Sequence, residues 1–159
     1  MRLDNKGVSL IEVIVVLGLL ALVITVFGRL NAVFSKSISS ASFNVKANAI
    51  AVETMEAARF LRDDSWGNIS GLSPETDYYL SFSDSDREWH IEYSNPGNID
   101  NVFLRKFSTH AVFRDSVTGQ IVSSGGVPDS NILRVDADVS WNDRGAQKNY
   151  KLTSYFSNF

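Results

Sequence analysis

The chain has 159 residues, of which 44% are hydrophobic, with 15 Lys and Arg against 18 Asp and Glu for a formal charge of −3. That length suits one compact domain, or one domain with an appendage. The acidic balance excludes a strongly basic nucleic-acid binder, which needs clustered cations to neutralise phosphates. The absence of cysteine excludes a disulfide scaffold, a thiolate nucleophile and any Cys-ligated metal centre.

The first thirty residues carry most of the information. Residues 13–27 read VIVVLGLLALVITVF without a charge, and the run extends back to Val8 with Glu12 as its single acid. About 20 apolar residues at about 1.5 Å each reach across bilayer hydrocarbon. Arg2 and Lys6 precede the run, so the N-terminus is expected to stay cytoplasmic and the remainder to be translocated. A secretory signal peptide predicts small residues at a cleavage site after the run, and no convincing A-x-A follows Phe27. An ordinary single-pass anchor leaves Glu12 without a reason, because an ionisable group in the apolar layer is costly and usually functional.

The segment Lys6-Gly7-Val8-Ser9-Leu10-Ile11-Glu12 resembles the cleavage and methylation motif of type IV pilins and of type II secretion pseudopilins. The resemblance implies a cytoplasmic leader, residues 1–7, cut by a prepilin peptidase between Gly7 and Val8. It implies N-methylation of Val8 and an assembly role for Glu12. It further implies sibling pilin subunits and an inner-membrane assembly platform as partners, lipid around the helix before assembly, and an extracellular or periplasmic filament afterwards. Val8 stands where the family most often has Phe. Arg29 stands where many major pilins have a kinking Pro, which favours a straighter helix and a minor subunit. A pseudopilin is the alternative within the family, and a membrane-anchored binding domain that never polymerises is the alternative outside it.

The chemistry of Glu12 points the same way. Cleavage exposes an α-amine with an unperturbed pKa of about 8, and methylation keeps its charge. An ammonium and a carboxylate buried together offset part of each other's desolvation. Glu12 would meet the Val8 amine of a neighbouring subunit and set its axial register. Gly18, Ala21 and Gly28 would let helices approach closely. Loss of the leader removes two bases and one acid, leaving the mature chain slightly more acidic.

After Arg29 the helix pattern continues. Leu30, Phe34, Ile38, Ala41, Val45, Ala49, Val52 and Met55 recur at three- and four-residue spacing and predict an apolar stripe on a helix from about Ser9 to Asp63. Such a helix is roughly 80 Å long. The domain divisions are therefore a leader at 1–7, a transmembrane and assembly helix at 8–28, an amphipathic continuation at 29–63 and a β-rich globular domain at 64–159.

From Ser70 the period changes to two. Tyr78, Leu80 and Phe82 with Trp89, Ile91 and Tyr93 predict a hairpin with an aromatic inner face. Residues 102–114 predict a strand with Phe103, Phe107, Ala111 and Phe113 on one side, and 123–129 a loop. Residues 133–141 alternate almost perfectly, and Tyr150, Leu152 and Phe156 mark a returning strand. The expected class is α+β, a long helix packed on one antiparallel sheet, the lollipop of the pilin family.

Catalytic and cofactor signals are absent from this pattern, so no enzyme activity and no cofactor are expected. His90 and His110 read as surface residues without a Ser or Asp partner fixed by a motif. Asp84 and Asp86 read as a solvated turn, with calcium as the lesser reading because the Gly and distant Glu of an EF-hand are missing. Asn68-Ile69-Ser70 matches a glycosylation acceptor by composition alone. Trp66, Trp89 and Trp141 read as core or interface aromatics, and Gly125-Gly126 as a loop.

Overall fold

The computed structural model describes residues 9–123 and 125–158. Gly7 and Val8, the expected cleavage and methylation positions, lie outside the described residues. The chain divides into two units between residues 42 and 43. Helix α1 (Leu10–Asp64) passes through that division, and α2 (Trp66–Ser70) follows it after Ser65, whose backbone is extended.

In the first unit α1 buries nothing. Its large apolar side chains stand exposed from Leu10, at 79%, to Ile38, at 70%. The helix is long and apolar enough to cross a membrane. Thr25 satisfies its hydroxyl within the helix by donating to the Ala21 carbonyl at 2.8 Å, so the segment presents little polar surface of its own.

In the second unit the helix buries Ala47, Ile50, Ala51, Thr54, Met55, Ala57, Ala58 and Leu61. This corrects the expected stripe. Of its members in this region only Met55 is buried, while Val45 is 70% exposed and Val52 45% exposed. Hydropathy favoured the valines, but the face chosen is rich in alanine, which places few atoms between helix and sheet and allows close packing. Thr54 is tolerated there because its hydroxyl donates to the Ile50 carbonyl at 2.7 Å. The helix ends one residue later than expected. Asn68 Nδ2 donates to the Leu61 carbonyl and to Asp64 Oδ2, each at 3.0 Å, satisfying a terminal acceptor.

Among the described residues six strands follow: β1 (Tyr79–Ser83), β2 (Glu88–Glu92), β3 (Leu104–Arg114), β4 (Ile121–Val122), β5 (Val127–Asp143) and β6 (Ala146–Ser157). They form two antiparallel sheets, β1-β2 and β4-β3-β5-β6, where one was expected. Tyr78 and Phe107 exchange backbone bonds at 2.8 Å, but the ladder stops there. Arg105 occupies the place where it would continue, with Nη2 donating to the Leu80 carbonyl at 2.9 Å and Nη1 to Glu53 of α1 at 2.7 Å. The side chain thus stands in for a backbone bond, and the hairpin pairs separately.

Two further expectations fail for local reasons. The β3–β5 register shifts between Ala111 and Val112, so Val112 is buried and Ala111 exposed, and Ala111 and Phe113 do not continue the Phe103–Phe107 face. A bulge changes the phase of every residue beyond it. The stretch expected as a loop at 123–129 becomes strand from Val127. Pro128 pairs opposite Phe113 there, where the β6 pairing of β5 has not yet begun, so no partner on that side needs its missing N–H. The core joins α1 to the four-stranded sheet through Phe107, Val135, Ala137, Val139, Trp141 and Phe156, with Phe103 beside them, and to the hairpin through Leu80. The fold class is α+β with antiparallel sheets.

Candidate functional site

Ser9 precedes α1, and its carbonyl accepts the Glu12 N–H at 2.9 Å and the Val13 N–H at 3.2 Å. Glu12 therefore occupies the first helical turn, where the unpaired N–H groups and the helix dipole favour an anion. It is exposed, and the side chains on the turns that follow, Val13, Val16, Leu17 and Leu20, are apolar and exposed. Burying such a surface is worth about 1.5–3 kcal/mol per large side chain, so the whole segment demands lipid or other helices. Glu12 is the one acid on that stretch, two turns or more from any described basic side chain of the same helix.

A second polar centre lies on the sheet face opposite α1. Asp136 of β5 is 2% exposed although the alternation turns it away from the core. Its Oδ1 accepts from the Thr153 hydroxyl at 2.7 Å. Its Oδ2 meets Lys151 Nζ at 3.0 Å, His110 Nε2 at 3.0 Å and Arg134 Nη2 at 3.2 Å. The register explains the set, since Asp136 lies opposite Ser108 on β3 and Thr153 on β6, with Arg134 opposite His110. Burial pushes the carboxyl pKa up, but hydrogen bonds from Thr153 and Lys151 and the charges of Arg134 and Lys151 outweigh it, holding Asp136 below the ordinary carboxylate value. Long cations folding over one acid explain how an outward-facing carboxylate becomes dry.

Both histidines thus have acidic partners in space, although no sequence motif fixes them. Ser108 Oγ lies 3.2 Å from His110, so serine, histidine and aspartate stand together. They do not form a relay. Serine and carboxylate share the same nitrogen, Nε2, whereas a nucleophile–base–orienter chain uses one ring nitrogen for each. His90 Nε2 lies 3.0 Å from Asp86. Asp86 is held below its ordinary pKa chiefly by a hydrogen bond from Ser83, with a smaller part from His90. Among the described residues no group of three or more His, Asp or Glu stands ready to hold a metal ion, and Asp84 and Asp86 are assembled into no such set.

The other sequence candidates resolve structurally. The Asn68 amide nitrogen is committed to the end of α1, and Ile69 beside it is fully buried. Trp141 is buried against Phe103, with ring centroids 5.9 Å apart. Trp66 and Trp89 pack on the core, and the Arg105 guanidinium lies 5.1 Å from the Trp89 ring centroid. Gly126 presses on the Arg114 carbonyl, and a Cβ there would fall 2.6 Å from that oxygen.

Helix α1 thus carries an exposed apolar run that is long and apolar enough to cross a membrane. Residues 2–28 match the family model described as the prokaryotic N-terminal methylation motif, which agrees with the resemblance of this segment to the type IV pilins and pseudopilins. No curated protein and no solved structure matches the chain. The Asp136 centre was missed by sequence reading. Its only signal was Arg134, Asp136 and Asp138 alternating on one face of the best strand, and its partners on β3 and β6 become visible only once the register is known.

Proposed function

We propose that the chain is a structural, minor-pilin-like subunit of a type IV pilus or a related filament. The leader is cut between Gly7 and Val8, Val8 is methylated, and the helix passes from lipid into a bundle of sibling helices with the help of an inner-membrane platform. The reading rests chiefly on one observation: the methylation motif at 2–28 leads without interruption into a helix whose apolar side chains are all exposed through residue 38. In the filament the Glu12 carboxylate faces the Val8 amine of the neighbouring subunit. Two charges that are costly alone in apolar surroundings become tolerable together and fix the axial position of the incoming helix.

The globular unit supplies packing rather than chemistry. Its best Ser-His-Asp grouping lacks the geometry of a relay, so the proposed role is not enzymatic. Nucleic acid is not a partner, given the net charge of −3. A type II secretion pseudopilin uses the same N-terminal chemistry and is the second reading within the family.

Glu12→Ala and Glu12→Val test the proposal in cells that assemble the filament. The expected result is normal removal of residues 1–7 with at least a ten-fold loss of incorporation into sheared filaments. Incorporation at the parental level would remove the intersubunit role.

A further inference from the structure

Strand β6 is an open edge. It is the last strand in the order β4-β3-β5-β6, it is 12 residues long, and its register with β5 runs without a bulge from Ser157 to Ala146. It contains no proline. Bulges, prolines and outward lysines are the usual protections of such an edge. Of its two lysines, Lys151 is drawn over the sheet to Asp136. Arg144 and Gly145, both at positive φ, form a two-residue turn closed by the Asp143–Ala146 pair. That closing pair exchanges both backbone bonds, so the even-numbered residues of β6 bond to β5. The Asn158 N–H donating to Asn131 fits the same parity. Asn149, Lys151 and their odd-numbered neighbours therefore direct their N–H and C=O groups outward.

A complementary edge exists on the same unit. Tyr78 bonds to Phe107, so the even residues of β1 face β3 and the odd ones face β2. In β2 it follows that Glu88, His90 and Glu92 bond to β1, and that Trp89 and Ile91 direct their backbone outward. Antiparallel pairing of Asn149 with Ile91 and Lys151 with Trp89 satisfies both sets. The same register sets Lys148 opposite Glu92. The signs also match, because residues 144–157 hold Arg144, Lys148 and Lys151 with no acid, whereas β2 carries Glu88 and Glu92.

We infer that the outer edge of β6 pairs with the outer edge of β2 from a second copy of this chain. The contact joins two different surfaces, so it repeats head to tail and does not close on itself as a two-fold dimer would. It concerns the globular unit alone and holds whether or not the leader is removed.

The chain has no cysteine, so introduced thiols report without background. Full-length Lys148→Cys and Glu92→Cys chains, differently tagged, are co-expressed in membranes and oxidised. Directly opposite residues in a non-bonded antiparallel pair have Cα atoms about 4.5 Å apart, within reach of a disulfide. The mixed dimer is expected at least ten-fold above either homodimer and above the Glu92→Cys with Ser116→Cys control. Adding Asn149→Pro to the Lys148→Cys chain removes an outward N–H that β5 does not use, and is expected to lower the mixed dimer at least ten-fold. Clustering through the apolar helices would raise all pairs alike. Equal yields of mixed dimer, homodimers and control would overturn the inference, as would a mixed dimer indifferent to Asn149→Pro in a chain that stays protease-resistant.

Discussion

Replacing Asp136 by Asn should be among the most destabilising single changes on the outer sheet face. The carboxylate is 2% exposed and takes four polar contacts. Breaking a fully buried ion pair costs about 3–5 kcal/mol. Here the cationic side chains reach water, Lys151 at 49% and Arg134 at 39% exposed, so their share falls towards the surface-pair range of about 0–1 kcal/mol. The Thr153 hydroxyl can still donate to the amide oxygen, so only the excess of a charged over a neutral acceptor is lost, about 1–1.5 kcal/mol. With about 0–1 kcal/mol from each of Lys151 and Arg134, the sum is about 1–3.5 kcal/mol, or roughly 3–14 °C in Tm for a unit of this size. The assay is thermal or denaturant unfolding of the full chain in detergent, followed by a near-ultraviolet signal from the core tryptophans. The pH dependence gives a second reading. Because the folded-state pKa of Asp136 is lowered, its contribution is complete above the unfolded value of about 3.9 and is lost as pH falls through the folded value. The parent should therefore lose stability below about pH 4, and the Asn variant should lose less of it. A variant within about 0.5 kcal/mol of the parent, with an unchanged acid profile, would refute the claim that the centre is a tightly held ionic node.

Other consequences are equally direct. Gly126→Ala should cost about 1–3 kcal/mol, because the new methyl meets the Arg114 carbonyl at 2.6 Å and Val122 Cγ2 at 2.7 Å; a neutral result in the same unfolding assay would mean that the turn yields freely. Arg105→Lys should destabilise by about 1–2 kcal/mol, since an ammonium cannot reach Glu53 and the Leu80 carbonyl in the same fork. Hydrogen exchange should then show faster exchange in β1 and β2 than in β5, and uniform exchange would count against Arg105 as the link between the sheets.

Which parts of the molecule were readable in advance follows from how local their causes are. The methylation motif and the uncharged run at 13–27 depend on residue order alone, and the strand around Val135–Val139 shows its alternation in a single segment. The buried face of α1 was misjudged because alanine contributes little to a hydropathy stripe yet lets a helix lie close to a sheet; Val45 and Val52 drew attention to the wrong side. The phase of β3 was lost at Ala111, where the register shift has no mark in the sequence. The division into two sheets depends on one arginine inserted between strands. Asp136 gathers Lys151, Thr153 and His110 from two other strands, so its environment is a property of register that no single segment contains.

Removal of residues 1–7 would leave a free amine four residues before Glu12. Intact-mass and N-terminal fragment spectra of the protein, recovered from membranes with and without an active prepilin peptidase, read it directly. With the peptidase the chain is expected to begin at Val8 and to carry one methyl on its amine; without it residues 1–7 are retained. A chain that keeps Gly7 and everything before it while other precursors in the same cells are processed would contradict the account.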